Sequence, residues 1–252
     1  MNVKAERRDG VAYLTLERPP LNVLNIAMLE ELDAAIWTLG GDEDLRLIVI
    51  RGAGRSFSAG VDVGEHLGTS LEPMLDAFAR VASRLLTCDI PTLAAVQGSA
   101  LGGAAEIVAL CDLSIAAENA RIGTPEISLG VVPPIGAAVF PRLVGLQRAN
   151  ALVLTGEPIS GAEAARWGLV WRSVPADALA KEVEVIADGF RAKSAASLRL
   201  AKRTIRISAL AGLGAAIHAA NEEQKRSLPE TRDAEEGLRA FLEKRSPRWA
   251  HR

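Results

Sequence analysis

The 252-residue chain is poor in the residues that announce metal, redox or nucleic-acid chemistry: it has two cysteines and three histidines. Cys88 and Cys111 show no metal or redox spacing, and His66, His218 and His251 are scattered, so no metal site is expected. An excess of one charge is also missing. With 29 basic against 31 acidic side chains, no global field points to nucleic acid or an anionic membrane, and an anionic ligand must be held locally. No apolar run approaches the about 18 residues of a membrane span. The start "MNVKAERRDG" is charged and has no apolar signal core behind it, so a cytoplasmic protein without membrane attachment is expected. Neither a G-x-G-x-x-G loop nor a G-x-x-x-x-G-K-[ST] loop is present, which discounts NAD binding and nucleotide hydrolysis.

What is present is apolar residue in quantity: 49% of the chain is hydrophobic, enough for one large core, or a core with an appended subdomain. "VAYLTLER" (residues 11–18), "LRLIVIRG" (45–52), "PTLAAVQG" (91–98) and "LSIAA" (113–117) read as strands. A helix lies between the first two, with Asn25 as its cap and Leu29, Leu32, Ile36 and Leu39 on one face. A second fits residues 72–86. This alternation predicts an α/β architecture up to about residue 145. Beyond Gln147 the pattern is helical, with Ser160 as a cap and one strand at "LVWRSV" (169–174). A soft boundary near residues 190–195 divides an α/β core, 1–192, from a C-terminal helical subdomain, 193–252, whose apolar faces suit packing on another subunit.

Three stretches concentrate glycine and acid. "GAGRSFSAGVDVGEHL" (52–67) holds four glycines within 13 residues, leaving several backbone N–H groups without an obvious ladder partner. It reads as an ordinary turn or as a donor loop for an anion or a carbonyl oxygen. "GSALGGAAE" (98–106) runs from strand through glycines into a helix start, where free N–H groups and the helix dipole favour negative charge. "RIGTPEISLGVVPP" (121–134) places Glu126 after a proline. Glu106 and Glu126 thus sit in apolar settings, either as surface or cap carboxylates or facing one another. If they face each other, desolvation and like charge separate their pKa values, one for base work and one for acid work.

These residues resemble the crotonase superfamily, the enoyl-CoA hydratases and isomerases. The similarity runs from "ERPPLNVLN" through "FSAGVD", "GSALGGAAEIVALCDLSIAAENARIGTPEISLGVVP" and "LTGEPISGAEAARWGLV" to "EEGLRAFLEKRSPRW". It implies a spiral of ββα units with a C-terminal helical trimerisation subdomain, an acyl-CoA thioester as substrate, no cofactor beyond the coenzyme A it carries, and a homotrimer or dimer of trimers. The backbone N–H groups of Val61 and Gly103 would form an oxyanion hole for the thioester enolate, with Ala59, Gly60, Asp62, Gly102, Pro134 and Ile135 around the substrate. Glu106 would help deprotonate water for attack at Cβ and Glu126 would deliver a proton to Cα. Isomerases of the family typically keep only the residue matching Glu126, so the pair favours hydration.

Two departures from the family pattern stand out. Leu21 occupies a position that is basic in many relatives, which moves coenzyme A phosphate contacts to Arg18, Lys202 or the C-terminal "EKRSPR". Pro134 stands where many hydratases have a glycine whose N–H helps hold water, and proline has none to give. Together with "PPLNVLN", "SAGVDVGEHL" and "VVPPIGAAV", this narrows the likeness to the hydratases of cyclohexa-1,5-diene-1-carbonyl-CoA, with Pro134 and Ile135 shaping a pocket for a compact ring. A short-chain enoyl-CoA hydratase, an enoyl-CoA isomerase and a non-catalytic binding protein of the same fold are the alternatives. Blander roles are expected for Cys111 as a core thiol, His66 as a structural or exposed group, Asp62 as a loop cap and Trp249 at a subunit edge.

Overall fold

The computed structural model describes residues 1–209, 212–230 and 232–248. Strand β1 (Val3–Arg8) and β2 (Val11–Leu16) pair as an antiparallel hairpin through Asp9 and Gly10, both at positive φ as a type I′ turn requires. The strand reading had missed β1. Only Val3 of it is buried, so its sequence carries no apolar alternation, and the Asp-Gly pair was the available signal.

From β2 the chain crosses through α1 (Ile26–Gly40) to β3 (Leu47–Gly52), then through α2 (Leu71–Thr87) to β4 (Thr92–Val96). These strands pair in parallel and are almost wholly buried, which accounts for their continuous apolar runs. Asn25 caps α1 as expected, accepting from the Met28 N–H, and Leu29, Leu32 and Ile36 are buried. Next come β5 (Ser99–Leu101), α3 (Gly103–Leu110), β6 (Leu113–Ala117), β7 (Arg121–Gly123) and a 3₁₀ turn at Pro125–Leu129. Helices α4 (Pro134–Val144) and α5 (Leu146–Thr155), strand β8 (Ile159–Ser160), α6 (Gly161–Trp167) and β9 (Arg172–Val174) follow. The larger sheet has the order β1-β2-β3-β4-β6-β9, and β5, β7 and β8 make a second, smaller sheet. The strand expected over 169–174 begins only at Arg172, because Leu169 and Val170 are used to close the turn after α6.

Helices α7 (Leu179–Arg191), α8 (Ala195–Ala209), α9 (Leu213–Glu230) and α10 (Arg232–Leu242) complete the described chain. They do not stand apart from the core. Helix α9 packs on α2 and α4, and α10 packs on the Pro125–Leu129 turn. Helix α8 is pinned by Lys202, which is 8% exposed, donates to the Ile90 carbonyl at 2.9 Å and pairs with Asp112 at 2.5 Å. That corrects one expectation: Lys202 is consumed by the fold and has no charge to offer a phosphate. A lysine can be buried only when so paired.

The glycine loop after β3 is held by two side-chain amides, Gln97, which donates to the Gly52 carbonyl at 2.6 Å, and Asn22. Asn22, at φ 53° and 1% exposed, donates through Nδ2 to the carbonyls of Ala53, Ser56 and Phe57 at 2.8, 2.9 and 3.2 Å. Its Oδ1 accepts from the Arg18 N–H at 3.0 Å. Asparagine tolerates the left-handed conformation and supplies both donor and acceptor, which few residues combine. Replacing it with alanine strands those buried carbonyls and is expected to destabilise the fold by about 2–3 kcal/mol. Urea unfolding of Asn22→Ala checks this, and a loss below about 0.5 kcal/mol would show that the loop holds itself.

Candidate active site

A narrow cleft of about 80 Å³, partly open to solvent, lies where α2, α3, α4, α9 and two loops meet. That is below the about 300–1,000 Å³ of most small-molecule sites. Its walls gather most of the expected residues: Ala59, Gly60, Val61, Gly102, Gly103 and Pro134 line it, and so do Glu106 and Glu126. Two do not. Ile135 turns its side chain into the main core, 1% exposed, because it lies one residue into α4 on the inward face. Asp62 is occupied as a loop cap, accepting from the Gly64 N–H at 3.1 Å and pairing with Arg18 at 3.4 Å. His66 lines the cleft, its Nδ1 3.0 Å from the Asp62 carbonyl, and burial lowers its pKa, which keeps the ring neutral. Cys111 is half-buried at the end of α3, and burial pushes its thiol up to about 12, so it is inert.

The two backbone donors are set up by glycine. Gly102, at φ 56°, turns the chain from β5 into α3 and donates its own N–H to the Gly123 carbonyl at 2.9 Å. A Cβ there would stand 2.9 Å from Glu126 Oε1, and one on Gly103 would stand 2.6 Å from Val61 Cγ2. Gly102 is thus set by its conformation, and Gly103 by packing against Val61 and Phe78. The N–H groups of Val61 and Gly103 have no acceptor among the described residues, while those of their neighbours Asp62 and Gly102 do. Gly103 opens α3, so its free N–H also lies at the positive end of that helix. Two free donors on packed neighbours can receive one oxygen atom.

The carboxylates occupy different electrostatic positions. Glu106, 2% exposed, lies in the first turn of α3 and accepts through Oε1 from the Gly136 N–H at 2.5 Å. Helix α4 begins Pro133-Pro134 and has no side-chain cap of its own, so Glu106 serves as that cap from another helix. Glu126 stands on the 3₁₀ turn with its Oε2 shielded and without a hydrogen-bond partner. Burial raises the pKa of both, and the charge on Glu106 raises Glu126 further, whereas backbone donors favour the ionised form of Glu106. Burial and like charge therefore oppose ionising both at once, and the backbone donors favour placing the charge on Glu106. Such a pair can take a proton at one carboxyl and give one from the other.

Other features fit less well with chemistry. A second cavity, of about 450 Å³, lies beside α2, α8 and α9, lined by Ser83, Arg206, His218 and Asn221 among others, and has no carboxylate pair. At the C-terminal end Arg245 pairs with Glu236 and Glu243. Trp249 lies outside the described residues. Among the described residues no His, Cys, Asp and Glu cluster suits a metal ion, and no helix is long and apolar enough to cross a membrane.

Comparison with known proteins places this arrangement. Residues 6–252 match the family described as enoyl-CoA hydratase/isomerase. The chain belongs to that family. It is 37% identical over 253 residues to a probable enoyl-CoA hydratase of Mycobacterium bovis, covering 99% of this chain and 98% of that one. It is 37% identical to the 2,3-dehydroadipyl-CoA hydratase of Escherichia coli, covering 96% and 95%. Identity to the cyclohexa-1,5-dienecarbonyl-CoA hydratase of Thauera aromatica is 33%, covering 100% and 97%. The crystal structure of an enoyl-CoA hydratase from Mycobacterium avium subsp. paratuberculosis superposes with a TM-score of 0.90 at 28% identity, over 99% of each chain. The fold of this family member is accordingly the crotonase fold, an α/β core with C-terminal helices.

Two outcomes are expected. Raised carboxylate pKa values mean that the folded chain keeps protons which the unfolded chain releases above about pH 4.3. This stabilises the fold at acid pH, and that contribution is lost as pH rises toward neutral and beyond. Glu126→Gln should therefore raise Tm more at pH 8 than at pH 5, by scanning calorimetry; an equal shift at both would remove the buried charge from the account. Gly103→Ala should lower activity at least tenfold by displacing the donor, and Val61→Ala in the same chain should restore part of it, since it removes the Cγ2 that the new methyl meets.

Proposed function

We propose that this family member hydrates a conjugated enoyl- or dienoyl-CoA thioester. The observation that carries the reading is the pair of buried Glu106 and half-buried Glu126 beside two unpaired N–H groups in one cleft. The thioester oxygen is received by the N–H groups of Val61 and Gly103, donors aimed at the charge that grows as the enolate forms. Glu106, held ionised by the start of α4, takes a proton from water as its oxygen bonds to Cβ, and Glu126 gives its proton to Cα. The proton count of the pair is unchanged, with the proton now on the other carboxyl. Pro134 contributes an apolar ring to the wall and no donor, so the glutamates hold the water.

For the acyl group we propose a neutral, compact unit, with a cyclic dienoyl-CoA as the best candidate. No lysine or arginine lines the cleft among the described residues, and His66 is held neutral, so a second carboxylate on the acyl group would meet two glutamates and no cation. That disfavours a dicarboxylic acyl chain of the dehydroadipyl type. The Thauera relative and the ring of Pro134 support the cyclic substrate, and the Mycobacterium bovis relative supports a general short-chain enoyl-CoA. Association into trimers, or a dimer of trimers, belongs to the same proposal. Leu200, Ile205, Phe241 and Leu242 lie exposed on α8 and α10, and apolar groups so placed suit burial against another copy.

Crotonyl-CoA and cyclohexa-1,5-diene-1-carbonyl-CoA, assayed side by side for loss of the conjugated thioester and gain of water by mass, test the reading. Hydration of either is expected, with preference for the cyclic diene; a water adduct from neither would overturn it. Glu106→Gln and Glu126→Gln should each lower kcat by about 10²–10⁴-fold. Near-normal rates in either variant would remove that residue from the acid–base pair.

A further inference from the structure

One polar side chain in the cleft has no part in the scheme above. Gln224, on α9, is 2% exposed and lines the cleft, and its Oε1 has no hydrogen-bond partner. Helix α9 packs on α2 and α4, so Gln224 comes in among apolar groups such as Met74, Leu75, Phe78 and Leu129 that line the same space. A buried amide oxygen left without a donor is unfavourable, and a wall that needed only bulk would be served by leucine or methionine. The other acceptors in the cleft are carboxylates, of which Glu106 is already committed to Gly136.

We propose that Gln224 is a specificity-determining residue that accepts a hydrogen bond from a hydroxyl on the acyl unit in the cleft. The unpartnered amide oxygen accepts from an O–H, which an alcohol supplies. A carboxylate has no hydrogen to give and would leave Oε1 as it is. The hydroxyl has two sources: the one created at Cβ by addition of water, or one already carried further along the acyl group. The inference rests on the acyl-CoA reading of the cleft. It assigns Gln224 a contact with substrate or product and no share in proton transfer.

The test is calorimetric binding of butyryl-CoA, 3-hydroxybutyryl-CoA and 4-hydroxybutyryl-CoA to the full chain carrying Glu126→Gln, so that no thioester turns over, with and without Gln224→Met. Methionine keeps the length and volume of the side chain, and folding of each variant is checked by its unfolding transition. The intact amide is expected to favour one hydroxyacyl thioester over butyryl-CoA by about three- to tenfold, with Gln224→Met abolishing that ratio and leaving butyryl-CoA affinity unchanged or improved. Preference for the 3-hydroxy compound identifies the added hydroxyl as the ligand, and preference for the 4-hydroxy compound identifies a substituent of the substrate. Binding of all three with a ratio that Gln224→Met does not change would overturn the role of Gln224 and leave the acyl-CoA reading standing. Binding of none would overturn the acyl-CoA reading itself, and the proposal with it. A Gln224→Met chain that fails to fold is replaced by Gln224→Leu, judged by the same ratio.

Discussion

The site depends on the cost of putting two carboxyl groups into one apolar cleft. Neither can be fully ionised beside the other without water, so the surroundings decide which one holds the proton. At Glu106 they do so through the start of α4, whose N–H groups are bare because two prolines open the helix and no side chain there caps it. At Glu126 they do so by omission, since Oε2 is given nothing. The asymmetry between the two carboxyls is therefore a property of backbone placement, and the main sheet, the crossing helices and the glycine turns all serve to fix that placement.

The same economy governs the two free backbone donors. Backbone donors need no particular side chain at their own positions, but they need close neighbours that leave no room for a misplaced turn. Gly103 abuts Val61, Gly102 abuts Glu126, and the loop that carries Val61 hangs from Asn22. The two free N–H groups and Glu126 are thereby packed into one another, and a side chain added at either glycine disturbs both.

Much of this was legible in the sequence, and the failures have physical causes. The parallel strands announced themselves because burial on both faces makes their runs wholly apolar. Strands β1, β5, β7 and β8 did not, being either exposed on all but one position or two to three residues long. Glu106 stood out because a carboxylate among alanines and aliphatics demands a reason. Gln224 did not, since "ANEEQKRS" reads as a solvated stretch and only packing against α2 and α4 shows that the amide faces inward. Lys202 was read as a free cation because a sequence shows charge but not burial, and Ile135 was placed in the pocket because a helix start does not reveal which way its second residue points.

Gln224 joins the cleft from a helix far downstream of both glutamates. The contacts that enclose the site are thus among the most distant along the chain, and their closure entropy must be met before they give anything in return. During synthesis on the ribosome, the two glutamates and the glycine loops emerge well before the helix that adds Gln224 to the cleft wall.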